Sequence, residues 1–413
     1  MENNGKKEWL INAFIVLLYL VSAFALYKLH VRELLWYPGP LGFYESDLPA
    51  HFNEGAAGTG YSLVEIGYWF IVHKLHMGFR AAAVFIIFLT LGTTYLTYRL
   101  MRKLKPDVNK YALHLLAFVC LYVMPIYLPM LNKYRYLGLQ CGTVWHNTTY
   151  TGMRFAAMFV LIWYYGFQDR YMERFSWKDI VILTVLLSFV NMMKPNFIVC
   201  FAPAMALIIL GDCFKTKGKY FGRQCLIALA VILSLVILVY EVVLLFPSGS
   251  SSDGSGLPIG FSLAYVLRLR ADHPVISLLQ SAAFPLIVLA ANFRDLKENR
   301  FFRLTWLTWL IGLCEFLFIH ENGYRKQDGN LSWGYSFCIY YVFLVSLAWF
   351  AKNIKDAFTE YQSSGQKGFV SWLWNSDRKR CVYLLAASVI LTWHLICGIH
   401  YFILLCLGAS YTI

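Results

Sequence analysis

Trp9-Leu-Ile-Asn-Ala-Phe-Ile-Val-Leu-Leu-Tyr-Leu-Val-Ser-Ala-Phe-Ala-Leu-Tyr-Lys-Leu29 decides the fold class of this chain. The run is almost wholly apolar and matches the roughly 20 residues that cross a bilayer as a helix. No small-residue cleavage site follows it, so it reads as a retained first membrane span. Similar runs recur along the 413 residues, of which 59% are hydrophobic and 14% charged. Soluble domains carry about 25% charged residues. Eleven spans are expected, at 9–29, 80–101, 110–130, 153–168, 178–193, 196–211, 225–246, 274–292, 304–320, 334–351 and 382–404. A further apolar stretch, 62–76, carries Glu65, His73 and Lys74 and is expected to dip into or lie along the interface rather than cross it. The expectation is an all-α polytopic protein with a single transmembrane domain over 1–413, a first external loop at 30–76, a flexible external loop at 247–273 and a cytoplasmic linker at 352–380.

The net charge of +13 invites a nucleic-acid partner, but its distribution points elsewhere. With the N-terminus inside, 24 of the 36 lysines and arginines fall in cytoplasmic segments: the N-terminus, 99–110, 170–178, 215–223, 294–303 and 352–380. That is the positive-inside bias of a multispan protein, so topology accounts for the basicity. Eleven spans then place the C-terminus outside the cell membrane. The 10 cysteines are scattered, mostly within spans, and form no CxxC pair that would indicate a zinc site or a disulfide framework. Asn147-Thr-Thr149 and Asn330-Leu-Ser332 match the glycosylation sequon.

The polar chemistry gathers on the expected external half, which holds seven of the ten histidines. Tyr44-Glu-Ser-Asp-Leu-Pro-Ala-His51 lies between the first two spans. If Pro49 opens a helix, Asp47, His51 and Glu54 share one face. A carboxylate beside a histidine at a membrane surface suits acid/base chemistry on a substrate presented from the bilayer. The competing role for Asp47 is a helix cap. Glu45 and Asp47, with His51, could also hold a divalent cation such as Mg²⁺ or Mn²⁺.

Three further stretches carry candidate binding groups. Val144-Trp-His-Asn-Thr-Thr-Tyr150 opens the fourth span and sets Trp145, His146 and Asn147 at its entrance. Asn191-Met-Met-Lys-Pro-Asn196 puts Lys194 beside a helix-breaking proline, a combination suited to a phosphate. The alternative is a lysine snorkelling to the headgroups. His320-Glu-Asn-Gly-Tyr-Arg-Lys-Gln-Asp-Gly-Asn-Leu-Ser-Trp-Gly334 supplies Glu321 and Arg325, and Arg268 and Arg270 precede it. The planar fork of arginine binds two phosphate oxygens at once.

The inside N-terminus, the large acidic first loop and the surface-lying helix resemble the GT-C superfamily of membrane glycosyltransferases. Glu45-Ser-Asp-Leu-Pro-Ala-His51, Trp145-His-Asn147, Lys194-Pro-Asn-Phe197 and Glu321, Gly329-Asn330 and Trp333-Gly334 look similar to bacterial multispan proteins grouped there. The resemblance implies a polyprenyl-phosphate sugar as donor and a first-loop carboxylate acting as base or metal ligand. Asp47 is the best match for that carboxylate and Glu45 the second. The chain has Glu-x-Asp where the superfamily has Asp-x-Asp or Asp-Asp, and no C-terminal soluble domain, which turns expectation from a protein acceptor towards a glycan or glycolipid. The expected function is sugar transfer on the outer face, with Asp47 as base, His51 orienting it, and Lys194, Arg325, Arg268 and Arg270 holding the phosphate. A glycan polymerase or ligase would use the same loop. A transporter or flippase would need mid-span charges, which are few here (Glu241 and Glu315).

Overall fold

The computed structural model describes residues 2–136, 138–245 and 259–412, apart from the side chains of 2–5, 241, 242, 244, 245, 324 and 325. The protein is almost entirely helical. Helix α1 (Glu2–Leu34) carries the first span into the first loop. That loop folds as a short antiparallel pair, β1 (Pro38–Gly39) and β2 (Gly42–Phe43), followed by α2 (Leu48–Ala57) and α3 (Leu63–His73). Then come α4 (Phe79–Leu104), α5 (Lys110–Tyr122), α6 (Thr148–Phe167), α7 (Trp177–Asn191), α8 (Asn196–Lys215) and α9 (Phe221–Leu245). Strand β3 (Ile259–Phe261) leads to α10 (Tyr265–Arg270), α11 (Pro274–Ala291), α12 (Asp295–Glu298) and α13 (Arg300–Phe318). It pairs antiparallel with β4 (Ile319–Glu321). The chain finishes with α14 (Ser332–Ser364), α15 (Phe369–Ser376) and α16 (Arg378–Cys406).

Among the described residues, eight helices are long and apolar enough to cross a membrane: α1, α4, α8, α9, α11, α13, α14 and α16. Helices α5, α6 and α7 stand at the three remaining expected spans, with 13, 20 and 15 residues. Helix α14 is the central post. Trp333 to Ala351 are buried without interruption, so this helix is apolar all round, as a helix enclosed by other helices must be. Helix α3, with 11 residues, is too short to span.

One expectation needs correction. The span at 110–130 ends at Tyr122, because Pro125 and Pro129 cannot donate to a helix, and the chain runs irregularly from there to Asn147. Non-helical backbone among spanning helices is tolerated only when protein satisfies its polar groups. Here the Met124 amide donates to the His394 carbonyl (3.2 Å), and the Ile126 amide donates to the Gln280 carbonyl (3.1 Å). The buried Arg154 guanidinium donates to the Gly142 and Val144 carbonyls. Gly398 on α16 lets this segment approach; a Cβ there would collide with the Tyr122 carbonyl oxygen. In 352–380, expected as a linker with a short interfacial helix, α14 continues to Ser364 and α15 follows, with non-helical residues at 365–368 and at Asp377. The flexible stretch expected at Ser248–Gly256 lies outside the described residues, as does the side chain of Glu241.

Candidate functional site

Pro49 sits in the first turn of α2, where its missing amide hydrogen costs nothing and its fixed φ favours the helix. Asp47 just before it has a helical backbone (φ −73°, ψ −13°), and its carboxylate makes no cap. The Ser46 hydroxyl takes that role and accepts from the Leu48 amide (3.0 Å). Asp47 is therefore available to a different partner. The Asn147 side-chain amide donates to Asp47 Oδ2 at 2.9 Å.

Asn147 caps α6, its Oδ1 accepting from the Tyr150 amide at 2.9 Å. This is a favoured capping residue, and it fixes the amide so that its NH₂ faces Asp47. The Thr149 hydroxyl also donates to Asn147 Oδ1 (3.1 Å). Lys194, in the break between α7 and α8, donates from Nζ to Thr149 Oγ1 (3.1 Å) and lies over the Trp333 ring at 5.1 Å. A snorkelling lysine would turn outward; this one turns into the cluster. Asn196, at the start of α8, donates to the Asn330 carbonyl (2.9 Å), while the Asn330 amide donates to Glu321 Oε2 (2.7 Å). Glu321 thus approaches the break through Asn330.

His146 is buried, with its ring stacked on Tyr411 at 4.2 Å and edge-on to Tyr136 at 5.0 Å. Burial pushes its imidazole down to about 4; Asp47 opposes the shift and Lys194 adds to it. The ring is therefore neutral near pH 7. Burial and the charges of Asp47 and Glu45 push the Tyr411 phenol up. The Ser410 hydroxyl donates to Glu45 Oε2. Glu45, Ser46 and Pro49, with Trp36, Tyr44 and Tyr411, line a cleft of about 230 Å³.

Several expected roles change. His51 does not orient Asp47. Its Nδ1 lies 2.7 Å from Glu65 Oε1 and 3.9 Å from Glu54 Oε2, because α3 packs on α2 and brings the buried Glu65 to it. Burial pushes the Glu65 carboxyl up, but the hydrogen bonds from His51 and Ser62 outweigh it and hold the group below its usual range. Glu65 also completes a capping box with Ser62, fixing the start of α3. The cation set expected at Glu45, Asp47 and His51 does not fit this geometry, since the three side chains turn to different partners. Among the described residues, the ligand atoms lying within 4.8 Å of one another are those of His51, Glu54 and Glu65. Trp145 is 2% exposed and packs on Phe402 (5.0 Å) in the aromatic core. Arg270 donates to the Gln327 and Asp328 carbonyls, and its charge reaches Tyr411. Arg268, on the same short helix, is exposed. The side chain of Arg325 lies outside the described residues.

The sequence reading missed Thr149, Tyr136, Tyr411 and Arg154. Thr149 had a visible signal, because it closes the Asn147-Thr-Thr149 sequon. Here that asparagine is 5% exposed and hydrogen-bonded on both sides of its amide, which is a structural use of the motif. Arg154 was also visible, as a lone charge in an apolar run. Tyr136 and Tyr411 had no local signal, since only the tertiary fold brings them to His146. No protein-family model, curated protein or solved structure matches this chain.

Proposed function

We propose that this chain is a membrane glycosyltransferase of GT-C architecture, moving a sugar from a polyprenyl-phosphate donor to a hydroxyl of a glycan or glycolipid. The observation that carries the reading is convergence. Asp47 from the first loop, Asn147 and Thr149 from the entrance of α6, and Lys194 from the α7–α8 break are joined by hydrogen bonds, and Ser46 and Pro49, close to Asp47 in sequence, line a cleft. A carboxylate and an ammonium held at one site, next to a bilayer, suit a reaction that removes a proton at one atom and releases a phosphate at another. Helices α6 and α8 both begin here, and their positive ends favour the same anion.

In the proposed reaction the acceptor hydroxyl loses its proton to Asp47 as its oxygen attacks the anomeric carbon. The bond from that carbon to the phosphate oxygen breaks, and the electron pair leaves with the polyprenyl phosphate. Lys194 stabilises the charge that develops there. His146, neutral and held between Tyr411 and Tyr136, keeps a second positive charge away from Asp47. The layout proposed is eleven crossings with the N-terminus inside, which puts this site and the C-terminus on the outer face. A polymerase or ligase for lipid-linked oligosaccharides would use the same groups.

The test is direct. The purified chain, in a bilayer holding a polyprenyl-phosphate sugar and a glycan acceptor, should consume the donor and release polyprenyl phosphate. A panel of such donors left intact would overturn the reading.

A further inference from the structure

Thr149 carries neither the charge nor the base of the proposed reaction, yet it joins the two. The Lys194 ammonium can only donate, so the Thr149 hydroxyl must accept from it. The single hydrogen of that hydroxyl then goes to Asn147 Oδ1. Asn147 Oδ1 also receives the Tyr150 amide, which fixes the orientation of the Asn147 side chain. Its NH₂ is left to donate to Asp47 Oδ2. Every donor in the series Lys194, Thr149, Asn147, Asp47 therefore points the same way, from the ammonium to the carboxylate. The two middle residues are 4% and 5% exposed, so the chain runs through a poorly screened interior.

We propose that Thr149 is a positioning residue that transmits the charge of Lys194 to Asp47 and so sets the basicity of that carboxylate. The inference rests on the reading of Asp47 as the base of the site. Bonds aligned head to tail polarise one another, so a cation at the head strengthens the last bond and stabilises the ionised carboxylate. A substrate phosphate that neutralises Lys194 would weaken the chain and make Asp47 a stronger base when donor is present. Donor binding and base activation would then be one event. Among the described residues, the charge of Asp47 also reaches His146 and Tyr136 ahead of α6 and Tyr411 after α16, and Glu45 on the same loop acts on Tyr411. Arg270 on α10 acts on Tyr136 and Tyr411. None of these lies in the chain of bonds.

The test reads Asp47 directly and needs neither donor nor acceptor. The full chain in lipid nanodiscs is treated with a diazo reagent that esterifies protonated carboxyls, across a pH series, and Asp47 labelling is quantified by mass spectrometry. Thr149→Val should move the labelling midpoint up by roughly half to one pH unit. Thr149→Ser, which keeps the hydroxyl, should restore it. Lys194→Met should give a similar upward shift, and the Thr149→Val, Lys194→Met double variant should shift no further than either single one. An unmoved midpoint in Thr149→Val, or failure of Thr149→Ser to restore it, would overturn the proposal. So would additive shifts in the double variant, which would mean that the lysine acts through space. If the shifts appear as expected but no sugar transfer is found, the relay stands and the proposed reaction falls.

Discussion

Asp47 and Lys194 owe their proposed roles to neighbours that the local sequence only partly showed. Lys194 stands over Trp333 and bonds to Thr149. Lys194→Ala should weaken donor affinity roughly ten- to a hundredfold, the worth of a charge-assisted contact, while leaving the acceptor largely unaffected. Lys194→Arg should recover part of it, since the charge stays and its geometry changes. Donor titrations on the two variants check this, and an unchanged affinity in Lys194→Ala would return the lysine to a purely structural role. His146 makes a second residue-scale prediction. Its folded value of about 4 lies below the ordinary histidine value of about 6.5. A lowered folded value means that the unfolded chain takes up the proton first. The histidine's contribution to stability is thus complete above about pH 6.5 and is lost as pH falls towards about 4, an effect of roughly 3 kcal/mol. His146→Phe keeps the stacked ring without the titration. Its melting temperature should fall less steeply between pH 6.5 and 4 than that of the wild type, and identical slopes would refute the assignment.

Among the elements, the helices were largely legible and the irregular segment was not. Apolar runs set the spans, and Pro49 marked the start of α2 as its fixed φ favours. The chain from Val123 to Met130 was misread as the end of a span, because its apolar composition hid a backbone held by other helices. His51 was misassigned for a related reason. Spacing along α2 offered Asp47 and Glu54, but the partner, Glu65, comes from α3, and no one-helix pattern shows it. The close packing of the irregular segment on α16 can be tested at Gly398. An added methyl would collide with the Tyr122 carbonyl oxygen, so backbone must move. Gly398→Ala should lower stability by about 3 kcal/mol, the upper range for overpacking, seen as a reduced melting temperature in detergent. A neutral substitution would mean that α16 and this segment are not in contact.

Across the whole molecule, composition and charge bias point to a polytopic helical protein, and among the described residues eight helices are long and apolar enough to cross a membrane. The clustering of Asp47, Asn147 and Lys194 could not be read from spacing, since the three lie in segments some 50 to 150 residues apart. Sidedness is open to a labelling experiment. In right-side-out vesicles a membrane-impermeant maleimide should reach Thr59→Cys and miss Lys217→Cys, with the native exposed cysteines, Cys225 and Cys314, replaced. The reverse pattern would turn the proposed topology over. The central claim, that Asp47 is the base of a site whose phosphate anchor is Lys194, meets its most direct test in Asp47→Asn. With polyprenyl-phosphate sugar and acceptor in a bilayer, this variant should bind donor as the wild type does and lose roughly 10²–10⁴-fold in turnover, the scale of general-base catalysis. Wild-type turnover in Asp47→Asn would contradict it.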